Sequence, residues 1–199
     1  MISLVIDRLG WLKPHPRVRR CPSPNFDKRP RGLSPDLLVV HNISLPPREY
    51  GGPEIIDFFL NRLDINSHPW FKQIEGVEVS AHFLIQRDGQ ITQFVSTLDR
   101  AWHAGVSHFR HRSACNRFSI GIELEGSDDD PYDDRQYQSL HRLTTALRVR
   151  HTLRAVRGHE HIAPGRKTDP GPAFDWRRYG REARWLPGQL PRSALTLTP

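Results

Sequence analysis

Cysteine and long apolar runs are both scarce in this chain, and their scarcity excludes several classes of protein. Two cysteines, Cys21 and Cys115, occur in 199 residues, which is too few for a disulfide framework and lacks the paired spacing of a structural zinc site. No apolar run approaches the roughly 20 residues of a membrane helix. Residues 1–7 lack the basic leader and the apolar length of a secretory signal. We therefore expect a cytoplasmic protein with free thiols and no membrane partner.

No block of like charge is long enough to dominate the sequence. The chain has 29 Lys and Arg residues against 22 Asp and Glu residues, a formal net charge of +7 with histidine neutral. The arginines are scattered, with acidic residues between them, and no recognised nucleic-acid-binding module is present. The basic balance favours an anionic partner, but we expect no nucleic acid among the partners.

Length and composition predict one folded domain. Hydrophobic residues make up 37% of the chain, enough for a core, and no internal repeat is present. We expect a single domain over residues 1–185 and a flexible tail over residues 186–199. Five prolines between residues 16 and 35 predict an extended surface arm over about residues 12–36, because proline fits neither a helix interior nor a central strand.

Apolar patterns predict at least four strands. Residues 37–44 form a continuous, branched apolar run, typical of a buried strand. Asp88-Gly89 lies between two apolar runs within residues 80–95 and predicts a hairpin. Residues 119–126 alternate apolar and small or charged side chains, so Glu123 and Glu125 should lie on one face. A short strand is also predicted around Ala155.

Three segments have the pattern of a helix. A helix of about ten residues should follow Pro53, and the longest helix should begin at a capping box of Asp133 and Gln136 and end near His151. Asp175 should begin the last helix. Strands that alternate with helices, together with one hairpin, predict a mixed α/β fold in which helices flank a central mixed sheet.

Histidine is unusually frequent in this sequence, with eleven in 199 residues, and it is a common metal ligand and proton-transfer group. Three polar clusters lie where predicted strands end. These clusters are His41-Asn42, the Glu123 and Glu125 pair, and residues 158–169. A catalytic zinc site needs three nitrogen or oxygen ligands and an open fourth position. Two histidines and one carboxylate from distant segments would supply them, and His41, His159 and Asp169 fit.

Spacing alone leaves other interpretations open. His161 lies two residues from His159 and offers a competing imidazole. His82, within a hairpin strand, is more typical of a hydrogen-bonded interior histidine than of a ligand. Glu125 fits a salt bridge to one of the many arginines, and Lys167 fits an ordinary surface lysine.

Six segments together resemble the zinc-dependent N-acetylmuramoyl-L-alanine amidases of type 2, in one order over about residues 11–180. The segments are residues 39–47, 80–82, 87–89, 101–107, 120–126 and 158–172. The resemblance implies the fold of these amidases and of the related peptidoglycan recognition proteins. It also implies hydrolysis of the amide between N-acetylmuramic acid, including its 1,6-anhydro form, and L-alanine in peptidoglycan recycling.

Carried over residue by residue, the resemblance implies one zinc ion per chain, held by His41, His159 and Asp169. It implies that Glu123 and Lys167 are the catalytic pair, which agrees with general base and oxyanion chemistry. The implied partner is an anhydro-muropeptide bound by a monomer. The family's carboxylate-binding arginine is replaced here by Ala114, and Arg112 is the expected substitute. The implied substrate-binding residues are Asn42, Trp102, His103, Ala104, Gly105 and Arg112.

A second function class stays open at this point. Relatives on the same fold bind muropeptides without cleaving them, so a non-catalytic muropeptide-binding module is the alternative. Such a module would be expected to lack ligands or the catalytic pair, and this sequence lacks none of them.

Overall fold

A six-stranded mixed sheet lies at the centre of the protein, which is described by a computed structural model over residues 3–194. Its strands in chain order are β1 (Val18–Arg20), β3 (Leu37–Ile43), β4 (Phe83–Ile85), β5 (Ile91–Gln93), β9 (Ser119–Glu125) and β10 (Ala155–Gly158). The spatial order is β1-β5-β4-β9-β3-β10. Only β4 and β5, the predicted hairpin, are antiparallel neighbours within it; the other pairs are parallel.

Within residues 3–194, two short ribbons and four helices complete the fold. The ribbons pair β2 (Phe26–Lys28) with β6 (Asp99–Ala101), and β7 (His108–Phe109) with β8 (Arg112–Ser113). The helices are α1 (Glu54–Phe59), α2 (Asp134–Arg150), α3 (His159–Ile162) and α4 (Trp176–Glu182). Short 3-10 turns cover Pro69–Ile74, Cys115–Arg117, Pro187–Gln189 and Arg192–Ala194.

The two faces of the sheet bury different cores, because side chains alternate along each strand. On one face Leu38 and Ile122 pack with Leu140 and Leu143 of α2 in the largest apolar cluster. On the other face Leu84 packs with α1, while Leu37 and Val39 join a third cluster. This second face is where polar residues interrupt the apolar pattern.

Most predicted elements are present, and the mixed α/β architecture is confirmed. The capping box of Asp133 and Gln136 begins α2, and Asp175 caps α4. Helix α1 is shorter than predicted, at six residues, because Asn61 takes a positive φ of 57° that ends it. Both Cys21 and Cys115 are free thiols, as expected.

The predicted surface arm is more tightly built into the fold than expected. Its residues 18–20 form β1, which pairs in parallel with β5 at the edge of the main sheet, and Leu12 is fully buried. Proline at positions 16, 22 and 24 leaves room for a three-residue strand between them, and an edge strand needs only one row of partners.

The start of the predicted flexible tail also packs against the body. Leu190 and Ala194 belong to the largest apolar cluster, beside α4. Residues 195–199 lie outside the described residues.

Candidate metal centre

Strand register brings the predicted site residues together. His41 on β3 lies directly opposite Glu123 on the neighbouring strand β9. On the other side of β3, Val40 pairs with Gly158, the last residue of β10, so His159 begins α3 beside His41. The carbonyl oxygen of Asp169 accepts a hydrogen bond from the Glu160 amide at 3.0 Å. This bond holds the loop that contains Asp169 against α3, beside His159.

Three potential ligand side chains converge at this point. The Nδ1 atom of His41 lies 2.9 Å from Oδ2 of Asp169 and 3.1 Å from Nδ1 of His159. Nδ1 of His159 lies 3.2 Å from Oδ1 of the same carboxylate. The ligand atoms of His41, His159 and Asp169 all lie within 4.8 Å of one another. Two imidazoles and one carboxylate form the donor set of a catalytic zinc site.

The second ring nitrogen of each histidine is held from behind. Nε2 of His159 donates to the carbonyl oxygen of Ala104 at 3.2 Å. Nε2 of His41 lies 2.9 Å from Nδ1 of His103. Both rings therefore turn Nδ1 toward Asp169, and such outer contacts normally orient metal-binding histidines.

Burial sets the protonation of the cluster. It lowers the pKa of His41 to about 4, although Asp169 opposes this, so the imidazole is neutral at pH 7. Burial alone would raise the pKa of Asp169, but the His159 and His41 rings outweigh it and the pKa is lowered. A neutral His41 imidazole beside an ionised carboxylate is in the protonation state that a divalent cation needs.

Glu123 is buried beside this cluster. Burial, and next the charge of Asp169, raise its pKa well above the ordinary value, while Lys167 opposes the shift. Its Oε2 atom is buried and has no hydrogen-bond partner among the described residues. A carboxylate of raised pKa with a free oxygen is a strong base for a proton that arrives in the cavity.

A cavity of about 290 Å³ opens over these side chains. Lys167, exposed in the loop before Asp169, lies at its edge rather than out on the surface. One side of the cavity is apolar, formed by Phe58 and Phe59 of α1 and by Val77 and Val79. The remaining lining residues are Ile43, Ser80, His41, Asn42, Trp102, His103, Glu123, His159, Lys167 and Asp169.

The residues predicted to bind substrate divide into two groups. Asn42 and Trp102 line the cavity, and the Asn42 amide donates to Oδ1 of Asp128 at 2.7 Å. His103 also lines it, but both of its ring nitrogens contact protein groups. Ala104 is fully buried and offers its carbonyl to His159, while Gly105 lies beside the Arg166 guanidinium, behind the ligand rather than in the cavity lining.

Arg112, also predicted to bind substrate, does not line the cavity. Its guanidinium pairs with Asp36 at 2.9 Å and lies over the Phe118 ring. Asp36 precedes β3, so at a rise of about 3.3 Å per residue it is roughly 16 Å from His41. Arg112 thus lies near the opposite end of the strand from the metal centre.

The other open interpretations are also decided by position. His161 lies outside the ligand cluster: its Nδ1 accepts from the Gly158 amide at 3.0 Å, and its Nε2 contacts Ser193 at 3.1 Å. Glu125 accepts from the backbone amides of Gly51 and Arg87 instead of forming a salt bridge. His82 is a fully buried, hydrogen-bonded histidine as predicted, with Nδ1 accepting from the Gly121 amide at 3.1 Å.

Two residues that support the centre were missed from the sequence. Oδ1 of Asn116 accepts the backbone amides of His103 and Ala104, at 3.2 and 2.8 Å. Arg166 donates to the carbonyl of Ala104 at 3.0 Å and to that of Val106 at 2.7 Å. Neither belongs to a local motif, although Arg166 is adjacent to Lys167 and could have been considered with it.

The residues present fit a zinc ion on their own chemistry. The donor set has the right atoms, the protonation of His41 and Asp169 suits a cation, and Glu123, with an unpartnered oxygen, lines the same cavity. Within residues 3–194, no helix has both the length and the apolar character needed to cross a membrane.

Comparison with known proteins agrees with this site. The model of the N-acetylmuramoyl-L-alanine amidase family matches residues 31–172. The 1,6-anhydro-N-acetylmuramyl-L-alanine amidase AmpD of Citrobacter freundii is 55% identical over 172 residues, covering 85% of this chain and 90% of the relative. The crystal structure of a Se-Met AmpD derivative is similar with a TM-score of 0.85 and 52% identity, covering 89% of this chain and 98% of that chain.

A more distant solved structure is the Pseudomonas aeruginosa protein AMPDH3 in complex with an anhydromuramic pentapeptide. Its TM-score is 0.54 at 29% identity, over 77% of this chain and 61% of that chain. The family model covers well over half of the sequence and includes every residue of the metal centre. The chain belongs to the N-acetylmuramoyl-L-alanine amidase family.

Proposed function

We propose that this chain is a zinc-dependent hydrolase that cleaves the amide bond between N-acetylmuramic acid, in its 1,6-anhydro form, and L-alanine of muropeptides. The observation that carries the proposal is the register that sets Glu123 opposite His41, within the cavity that also holds His159 and Asp169. The match to the N-acetylmuramoyl-L-alanine amidase family supports the proposed reaction, and the arrangement of these side chains supports its mechanism.

His41, His159 and Asp169 would hold the ion. When bound, zinc supplies Lewis acidity, which lowers the pKa of water to about 7 and polarises a carbonyl oxygen. Glu123 would accept the proton of the attacking water at its unpartnered Oε2, because its raised pKa makes it a better base than an exposed carboxylate. The same proton would then pass from Glu123 to the departing L-alanine nitrogen.

Lys167 would stabilise the oxyanion that forms as water adds to the lactyl carbonyl. Its ammonium lies at the edge of the cavity, close enough to influence the pKa of Glu123 and of His41. A positive charge aimed at a developing oxyanion in a partly dry cavity typically contributes a large share of catalysis.

The cavity also matches the two ends of the proposed substrate. The apolar side formed by α1, together with Trp102, suits the face of a sugar ring, while the Asn42 amide suits an amide group. The net charge of +7 suits a stem peptide with free carboxylates. We also propose that the protein acts in the cytoplasm, as a monomer, in peptidoglycan recycling.

The experiment that tests this function compares the wild-type protein with His159→Ala. Zinc content and release of free peptide from anhydro-muropeptide are measured on the same preparations. We expect one zinc per chain and cleavage in the wild type, and loss of both in the variant. Muropeptide binding without zinc or cleavage in the wild type would instead identify a recognition module.

A further inference from the structure

A chain of four polar groups runs from the metal centre into the body of the protein. Nε2 of His41 lies 2.9 Å from Nδ1 of His103, and Nε2 of His103 lies 3.1 Å from Oγ of Ser119. Oγ of Ser119 in turn donates to the carbonyl oxygen of Cys115 at 2.7 Å. The carbonyl ends the chain, because it can only accept a hydrogen bond.

The direction of each hydrogen bond follows from that carbonyl. A serine hydroxyl has one proton, and here that proton lies between Ser119 and the Cys115 carbonyl. Toward His103, Ser119 must therefore accept, which requires a proton on Nε2 of His103. A doubly protonated imidazole has no lone pair, so His103 can accept a hydrogen bond at Nδ1 only as the neutral ring. A neutral ring with Nε2 protonated has a lone pair on Nδ1.

The same reasoning reaches His41. When Nδ1 of His41 binds a metal ion, the only proton of the ring is on Nε2, which must then donate to Nδ1 of His103 at 2.9 Å. We propose that His103 is a positioning residue: held in one tautomer by Ser119, it keeps the proton of His41 on Nε2 and leaves Nδ1 free to bind the metal. The inference rests on the proposed zinc function and deepens it.

The two histidine ligands differ in why they need such support. Nε2 of His159 donates directly to the Ala104 carbonyl, an obligate acceptor at 3.2 Å, and the Arg166 guanidinium lies 3.3 Å from the same nitrogen. His41 faces an imidazole, which can donate or accept, so its tautomer depends on what lies behind His103. The hydrogen bond from Ser119 to the Cys115 carbonyl makes Ser119 an acceptor for His103, and this fixes the tautomer of His103.

Packing holds the His103 ring flat against β9. A Cβ atom built on Gly121 would lie 2.5 Å from Cγ of His103, so only glycine leaves space for the ring at this position. His82 lies against the ring at 5.8 Å in an edge-to-face contact, and Asn116 holds the His103 backbone amide. Strand β9 thus carries Glu123, and Gly121, two residues earlier on the same strand, leaves space for the His103 ring.

Two substitutions separate hydrogen bonding from packing. His103→Phe keeps an aromatic ring but removes the acceptor, and we expect the dissociation constant for zinc to rise by about 10- to 100-fold, as for other contacts behind metal ligands. His103→Asn places Oδ1 where Nδ1 was, and it should recover most of that loss. A purely structural role for the ring would predict the opposite order, with Phe better tolerated than Asn.

A matched control is His151→Phe, which removes another buried histidine whose Nε2 contacts Thr97 at 2.9 Å, outside the metal centre. Zinc affinity, measured by competition with a chromogenic chelator, should stay at the wild-type value. An equal loss of affinity in His151→Phe and His103→Phe would assign the effect to general destabilisation and overturn the proposal.

The tautomers can be measured directly in the wild-type protein, so the test survives if a variant fails to fold. Long-range ¹H–¹⁵N spectra at pH 7 should show His103 protonated on Nε2 only, with and without zinc, and His41 protonated on Nε2 only once zinc is bound. A proton on Nδ1 of His103 would refute the inference.

Failure of the inference and failure of the function give different results. A wild type that binds zinc and cleaves anhydro-muropeptide, while His103→Phe binds zinc equally well, keeps the function and refutes the role of His103. A wild type with the expected tautomers that neither binds zinc nor cleaves refutes the function instead.

Discussion

Zinc-dependent thermal stability of two single-histidine variants is the most direct test of the metal centre. His159 and His161 lie two residues apart, and spacing alone does not distinguish them as ligands, whereas the structure places His159 and not His161 in the cluster. A ligand that binds only the folded state stabilises it by about 2.7 kcal/mol at 100 times its dissociation constant. For a chain of this size each kcal/mol shifts the melting temperature by roughly 2–4 °C, so zinc should raise it by about 5–11 °C.

The two variants should lose different parts of this stability. His159→Ala removes one of three ligands and should abolish the zinc increment. His161→Ala should keep the increment but melt earlier with and without zinc, because its ring accepts from the Gly158 amide, contacts Ser193 and packs on Trp176. Loss of these contacts should cost on the order of 1–3 kcal/mol.

The assay is differential scanning calorimetry in a zinc series against a chelator reference, with metal content measured on the same samples. The difference between the two melting temperatures of each protein isolates the zinc effect from any change in basal stability. If His161→Ala lost the increment while His159→Ala kept it, the assignment of ligands from the structure would be refuted.

Three further predictions address catalysis, substrate contact and pH. Lys167→Ala should retain zinc but lower kcat by about 100- to 1,000-fold, by analogy with loss of one oxyanion donor; a loss below tenfold in steady-state kinetics would contradict its role. Arg112→Ala should leave kcat/KM for anhydro-muropeptide unchanged, because its guanidinium pairs with Asp36 away from the cavity, and a large rise in KM would show that the arginine moves to the substrate. Burial, with Arg150 and Arg29 nearby, lowers the pKa of His151 to about 4, so the unfolded state takes up its proton first as the pH falls below about 6.5. Stability should therefore be lost as the pH falls from about 6.5 to 4, and urea titrations of His151→Gln should show a smaller loss across that window.

Local patterns were sufficient to predict the centre of the fold. Strands β3 and β9, the β4–β5 hairpin and the capped helix α2 are each specified by their own residues, through continuous apolar runs, Asp-Gly and a capping box. Strand β1 could not be predicted this way, because its three residues Val18–Arg20 carry two arginines and become a strand only by pairing with β5.

The metal centre was predicted for a different reason than its supporting residues. His41, His159 and Asp169 were carried over from the family motifs, and the strand register explains why they meet. The sequence does not reveal that Arg112 pairs with Asp36, 76 residues away, because that contact is non-local. The contact of His103 with His41 is equally non-local, at a separation of 62 residues, and no spacing rule would find it.

The long separation between His41 and Asp169 has a consequence for biosynthesis. These two residues are 128 positions apart, and β10, the strand that ends just before His159, is the last strand of the sheet in chain order. At 5–20 residues per second, a ribosome would take about 6–26 s to pass from one to the other. Throughout that interval the nascent chain offers the imidazole of His41 without the carboxylate that completes the donor set. Zinc acquisition should therefore follow translation of nearly the whole domain, and the bound ion would mark chains whose synthesis and strand pairing are complete.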